Sequence, residues 1–91
     1  MNVIHIEVAG RVQGIGFRHF VRERARALDL SGWVRNLASG NLEIAAGGTE
    51  TSVTQMLEDV KVGPPGAEVK QVIRLSAQSV TDLPKPFTIL K

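Results

Sequence analysis

The chain has 91 residues, 43% of them hydrophobic and 22% charged, an ordinary balance for a globular protein with a single core. No apolar run approaches the roughly 20 residues that a bilayer span requires, and the absence of cysteine excludes a disulfide framework, a thiol nucleophile and a cysteine-based zinc site. A net charge of +2 is too small to imply a nucleic-acid partner.

In chain order, Ile4, Ile6 and Val8 alternate with His5 and Glu7, which predicts a half-buried strand over about 3–9. Phe17, Phe20, Val21, Ala25 and Leu28 share one helical face and predict a helix over 17–28. A strand is expected at 32–37, a turn at Ala38-Ser39-Gly40, and a partner strand at 41–46 with Leu42 and Ile44 on one side and Glu43 on the other. Thr49, Thr51 or Ser52 is placed to cap a second helix whose apolar face is Val53, Met56, Leu57 and Val60, ended by Gly63-Pro64-Pro65-Gly66. Val69 to Leu75 reads as a strand whose alternation is broken where Val72 and Ile73 adjoin, and Phe87 to Leu90 as a short final strand. The order β-α-β-β-α-β plus a tail strand predicts an α+β, ferredoxin-like split βαβ sandwich. In it, two helices cover one face of an antiparallel sheet and a short C-terminal strand follows. Residues 1–91 read as a single domain. The first residues, with no basic region and no uninterrupted apolar segment, carry no visible signal peptide, and the expected location is cytoplasmic.

The charge is unevenly placed. Residues 11–35 hold six arginines (Arg11, Arg18, Arg22, Arg24, Arg26 and Arg35) against Glu23 and Asp29, a local balance of +4. This field is centred on Gly10-Arg11-Val12-Gln13-Gly14-Ile15-Gly16-Phe17-Arg18, between the first strand and the first helix. Glycines there allow successive N–H groups to converge, and the opening turn of a helix adds unpaired donors and the positive end of its dipole. Arg18 supplies a guanidinium fork that matches two phosphate oxygens. The stretch reads as an anion cradle, most naturally for phosphate; the competing reading is a tight structural turn followed by a solvated arginine. It lacks the third glycine of a dinucleotide fingerprint and the Gly-Lys-Ser/Thr of a Walker loop.

The first motif, followed by Gly32-Trp33-Val34-Arg35-Asn36, resembles the two-part signature of the acylphosphatases. Gly63-Pro64 and Phe87-Thr88-Ile89 match as well, so the resemblance covers nearly the whole chain. It implies a metal-independent, cofactor-free hydrolase that splits acyl phosphates into carboxylate and inorganic phosphate. Its catalytic arginine and asparagine match Arg18 and Asn36, and its phosphate-binding backbone amides map onto Gln13, Gly14, Ile15, Gly16, Phe17 and Arg18. Arg18 and the loop would hold the phosphoryl oxygens, and Asn36, both donor and acceptor, would orient the attacking water. The partners implied are an acyl phosphate substrate and inorganic phosphate as product and inhibitor, with no cofactor. The residues themselves, with no Asp/His cluster at ligand spacing, no long apolar run and a small mixed-charge surface, lead to the expectation of no metal, no nucleic acid, no membrane and a monomer. A site built on the phosphate leaves the acyl group mostly unread, so broad specificity is expected.

Two features depart from the family's pattern: Asp29 replaces the glycine after the first helix, and Ser39 stands where Asp or Asn more often precedes Gly40. His5 is expected to face solvent on the open side of the sheet, Val34 to lie in the core with Trp33 opposite, and Arg35 to be a sheet-surface charge. His19 and Arg11 are candidates for tuning the loop. Two other readings share the fold. One is a carbamoyl-phosphate-handling domain of a larger hydrogenase-maturation carbamoyltransferase, suggested by Leu83-Pro84-Lys85-Pro86-Phe87-Thr88-Ile89, although its loop typically has proline where this chain has His19. The other is an RNA-binding module, which would need aromatics on the open face of the first and third strands, where His5, Glu7 and Glu43 are expected.

Overall fold

A computed structural model describes residues 1–90. The elements run β1 (Asn2–Arg11), α1 (Phe17–Ala27), β2 (Ser31–Asn36), β3 (Leu42–Gly48), α2 (Glu50–Val62), β4 (Glu68–Arg74), a 3-10 turn (Ala77–Ser79) and β5 (Thr88–Ile89). The sheet order is β4-β1-β3-β2-β5. Each crossover helix links strands separated by one neighbour, the split βαβ arrangement read from the element order. Pairing among β1 to β4 is antiparallel, but β5 runs parallel to β2, so the sheet is mixed rather than wholly antiparallel.

Both helices pack on the same side. Ile4, Ile6 and Val8 from β1, Val34 from β2, and Leu42 and Ile44 from β3 meet Phe17, Val21 and Ala25 of α1 and Val53, Met56 and Val60 of α2 in one core. Each large apolar side chain fully buried here contributes about 1.5–3 kcal/mol relative to exposure. Phe20, Leu28 and Leu57, expected on the same faces, pack at the rim of that core. Val34 is buried and Trp33 lies on the other side, as the alternation implied.

Three local details follow from residue chemistry. Thr49 caps α2, its Oγ1 accepting from the Ser52 N–H at 3.2 Å, with Glu50 in the first turn to suit the helix dipole. At the end of α1, Leu30 N–H donates to Ala25 O (2.9 Å) and Asp29 N–H to Arg26 O (3.1 Å), the paired bonds of a Schellman ending. That ending requires a left-handed residue, and Asp29 takes it at φ 59°, a strained conformation at the position where the family's pattern has glycine. In β4, the register against β1 shifts between Ala9 and Gly10, leaving Lys70 as an extra residue. The bulge puts Val69 and Val72 on the core side and Ile73 opposite Glu7, which accounts for the broken alternation.

The long connection after β4 changes the open face. It leads from β4 at one edge to β5 at the other, and the helices already occupy one side, so it crosses the side opposite them. Leu75 N–H bonds to His5 O at 2.7 Å, Trp33 Nε1–H donates to Asp82 O at 3.1 Å, and Gly32 N–H donates to Pro84 O at 2.8 Å. His5 therefore does not face solvent as expected. It is only 8% exposed, with Nδ1 2.8 Å from Ser76 O and Nε2 donating to Glu43 Oε2 at 2.6 Å. Arg35 lies on this face too, over the Trp33 ring and paired with the other Glu43 oxygen at 2.6 Å. β1 and β3 present His5, Glu7, Glu43 and no aromatic ring on this side, as their alternation implied.

Burial pushes the Glu43 carboxyl up, but the hydrogen bonds from His5 and Arg35 and the arginine's charge outweigh it and hold the pKa below the ordinary 4.5. A lowered folded pKa contributes stability that is complete above the unfolded value and is lost as pH falls through the folded one. Acid unfolding should therefore show stability declining from about pH 4.5 downward. Glu43→Gln should be less stable by about 1–3 kcal/mol at pH 7, with the gap from wild type closing as pH drops below that window. Chemical denaturation at pH 7, 4.5 and 3 measures the difference; a gap constant with pH would mean that Glu43 is not held ionised by its neighbours.

Candidate active site

α1 follows β1, β2 follows α1, and β1 and β2 run the same way with β3 between them. The crossover thus brings the ends of both strands, and the start of α1, to one end of the sheet. There lies a concavity of about 210 Å³ lined by Val12, Gln13, Gly14, Gly16, Phe17, Arg18, His19, Asn36 and Ile89. Arg18 and Asn36, 18 positions apart in the chain, line it together. Of the loop residues expected there, only Ile15 is not in the lining; it packs against the rim of the core.

The loop's conformation has a sequence cause. Gly14 (φ 75°) and Gly16 (φ 80°) take left-handed backbone angles, and Gly16 starts α1 with no side-chain cap and no acidic residue in the first turn. Among the described residues, none of the N–H groups of residues 13–19 donates to a protein acceptor, and the first such bond into α1 is Phe20 N–H to Gly16 O at 3.0 Å. Such a run of free donors at the positive end of a helix attracts an anion.

Arg18, half-buried in the first turn, adds a guanidinium with no salt bridge or hydrogen-bond partner among the described residues. A cation at this helix end opposes the dipole by up to about 1 kcal/mol unless an anion joins it. Asn36 ends β2 on the same side as Val34, and its amide likewise makes no hydrogen bond among the described residues. His19 is exposed at the mouth, where Arg22 Nη2 donates to its Nδ1 at 2.6 Å. No group of three or more His, Asp or Glu side chains placed to hold a metal occurs among the described residues.

Two contributions were not legible in the sequence. Ile89 reaches the concavity because β5 pairs with β2, Ile89 opposite Val34. The Gln13 side chain turns toward the β2–β3 turn, its Nε2 donating to Leu37 O (3.1 Å) and Asn41 O (3.3 Å). A larger concavity of about 380 Å³ lies at the other end of the sheet, but there the side-chain cation, Lys85, is already paired with Asp29 at 2.7 Å. No helix of the described residues is long and apolar enough to cross a membrane.

Comparison with known proteins gives the family and the fold. The acylphosphatase family model matches residues 4–89. An acylphosphatase of Bordetella parapertussis is 43% identical over 72 residues, 79% of this chain and 77% of that protein. The crystal structure of the Bacillus subtilis acylphosphatase superposes with a TM-score of 0.90 at 37% identity, covering 100% of both chains. A full-length HypF, solved in a phosphate- and nucleotide-bound form, is similar at 26% identity and TM-score 0.72, over 99% of this chain but 12% of that one.

Proposed function

The chain belongs to the acylphosphatase family, hydrolases of acyl phosphates, and from that premise we propose that it works through residues 13–18 and Asn36 as one metal-independent site within a single domain. The observation that carries this reading is the meeting, in one concavity, of a run of backbone N–H groups, the Arg18 guanidinium and the Asn36 amide, none of which has a partner among the described residues.

In this reading the loop amides of Gln13 to Arg18 and the Arg18 fork hold the non-bridging oxygens of the phosphoryl group. Their hold strengthens as negative charge shifts onto those oxygens. Asn36 accepts from and donates to a water, setting it opposite the bond to the acyl oxygen. The water oxygen bonds to phosphorus, the bond from phosphorus to the acyl oxygen breaks, and the electron pair leaves with the carboxylate. The water proton passes to solvent. Because a carboxylate is already a good leaving group, no strong general acid is required. A neutral amide is a poor base, so its contribution is geometric, and the activated substrate tolerates that. Inorganic phosphate, sharing the same oxygens, is expected to inhibit by occupying the cradle.

The test is hydrolysis of benzoyl phosphate by the purified protein with excess EDTA. Turnover unchanged by the chelator is expected; loss of turnover on chelation, restored by a divalent cation, would overturn metal independence. The likeness to a small part of a much longer HypF chain supports a second reading, a carbamoyl-phosphate-handling module of a larger protein. Turnover of carbamoyl phosphate with none of benzoyl phosphate would select it.

A further inference from the structure

Gln13 opens the loop and lines the concavity, but its side chain is committed elsewhere. Its amide nitrogen carries two N–H groups, and the two carbonyls within reach are Leu37 O at 3.1 Å and Asn41 O at 3.3 Å. These carbonyls frame the β2–β3 turn. Leu37 directly follows Asn36, Leu37 N–H closes the turn on Asn41 O at 2.8 Å, and Asn36 pairs with Leu42. No other side-chain hydrogen bond joins residues 12–16 to this turn among the described residues. From the opposite side of the sheet, Asn41 Nδ2 donates to Glu7 Oε2 at 2.6 Å, tying the same turn to β1.

The cradle and Asn36 therefore belong to separate segments, one leaving β1 and one ending β2, and β1 and β2 are not hydrogen-bonded neighbours. We propose that the Gln13 side chain is a positioning residue that fixes the spacing between the phosphate cradle and Asn36. This rests on the reading above, in which the cradle holds phosphate and Asn36 orients water. In-line attack depends on that spacing, and a misplacement of about 1 Å costs on the order of 10²-fold in rate. A tie of this kind acts on the attack and not on phosphate capture. The cradle's donors stay in place while the water and the phosphorus lose their alignment.

The experiment compares Gln13→Met, which keeps the length and removes the donor, with wild type and Asn36→Ala, at a temperature well below unfolding. For Gln13→Met, kcat with benzoyl phosphate should fall about 10-fold while inhibition by inorganic phosphate stays within about twofold. Gln13→Glu, which sets an acceptor oxygen against the two carbonyls, should show the same split with a larger loss of kcat; it serves if Gln13→Met does not fold. An unchanged kcat in the Gln13 variants, beside an impaired Asn36→Ala, would overturn the positioning role and leave the site intact. Equal losses of kcat and phosphate inhibition would also overturn it, because they mark a prop for the loop itself. A fully active Asn36→Ala would instead overturn the reading of the site.

Discussion

Replacing Arg18 by alanine should lower kcat/KM for benzoyl phosphate by about 10³-fold, the lower end of what a single arginine contributes to phosphoryl transfer. That corresponds to about 4 kcal/mol of transition-state stabilisation. The guanidinium lines the concavity with no ionic partner among the described residues, so its charge and fork geometry are available to the phosphoryl oxygens. Inhibition by inorganic phosphate should weaken in the same variant, because ground-state phosphate meets the same donors. Arg18→Lys should recover only part of the rate, since an ammonium is a point charge and cannot present two parallel N–H groups. Folding should not suffer: removing a cation from the start of α1 relieves an unfavourable interaction with the helix dipole worth up to about 1 kcal/mol. Steady-state kinetics with phosphate inhibition and a thermal melt separate these effects. Undiminished phosphate inhibition in Arg18→Ala would mean that the arginine does not hold the phosphoryl group.

Asn36→Ala should behave differently. Its expected effect is a fall in kcat of about 10²-fold, with phosphate inhibition within about twofold of wild type. Asn36 lines the concavity from the end of β2 and not from the loop, and removing its side chain leaves every N–H of residues 13–19 and the Arg18 guanidinium in place. Asn36 is exposed at the end of β2 and its amide has no protein partner among the described residues, so truncation opens no cavity and strands no buried donor. A loss of phosphate inhibition equal to the loss of kcat would move Asn36 from orienting water to holding phosphate. The two variants thus divide the site into a part that binds and a part that aligns.

Much of this molecule is local, and what is local is readable. The α1 and α2 faces, a cap for α2 among Thr49, Thr51 and Ser52, and the strands β1 to β4 follow from side-chain periodicity, capping chemistry and glycine placement within windows of a dozen residues. The pairing of Arg18 with Asn36 was legible only through the family resemblance, and the fold supplies its physical reason. A helical crossover makes β1 and β2 parallel, so the loop after one strand and the end of the other must share an edge of the sheet. The free donors of the loop follow from Gly14 and Gly16 and the lack of a cap, all of them visible in nine consecutive residues.

The rest depends on where distant segments pass one another. Val72 and Ile73 left the register of β4 open, because a bulge is selected by the facing strand and not by the strand that carries it. His5 alternates as a solvent-facing residue should, and only the path of residues 75–87 across the open face buries it against Glu43 and Ser76. A polar connection carries no periodic signal that would announce such a path. The parallel pairing of β5, which brings Ile89 to the site, follows from the same crossing. Gln13 shows the division within one residue. Its backbone was legible as part of an anion cradle, because turn geometry is set by neighbours in the chain. Its side-chain contacts with Leu37 and Asn41 were decided by the tertiary fold alone, because a glutamine amide bonds to any carbonyl within reach and only the packing of the β2–β3 turn puts those two there.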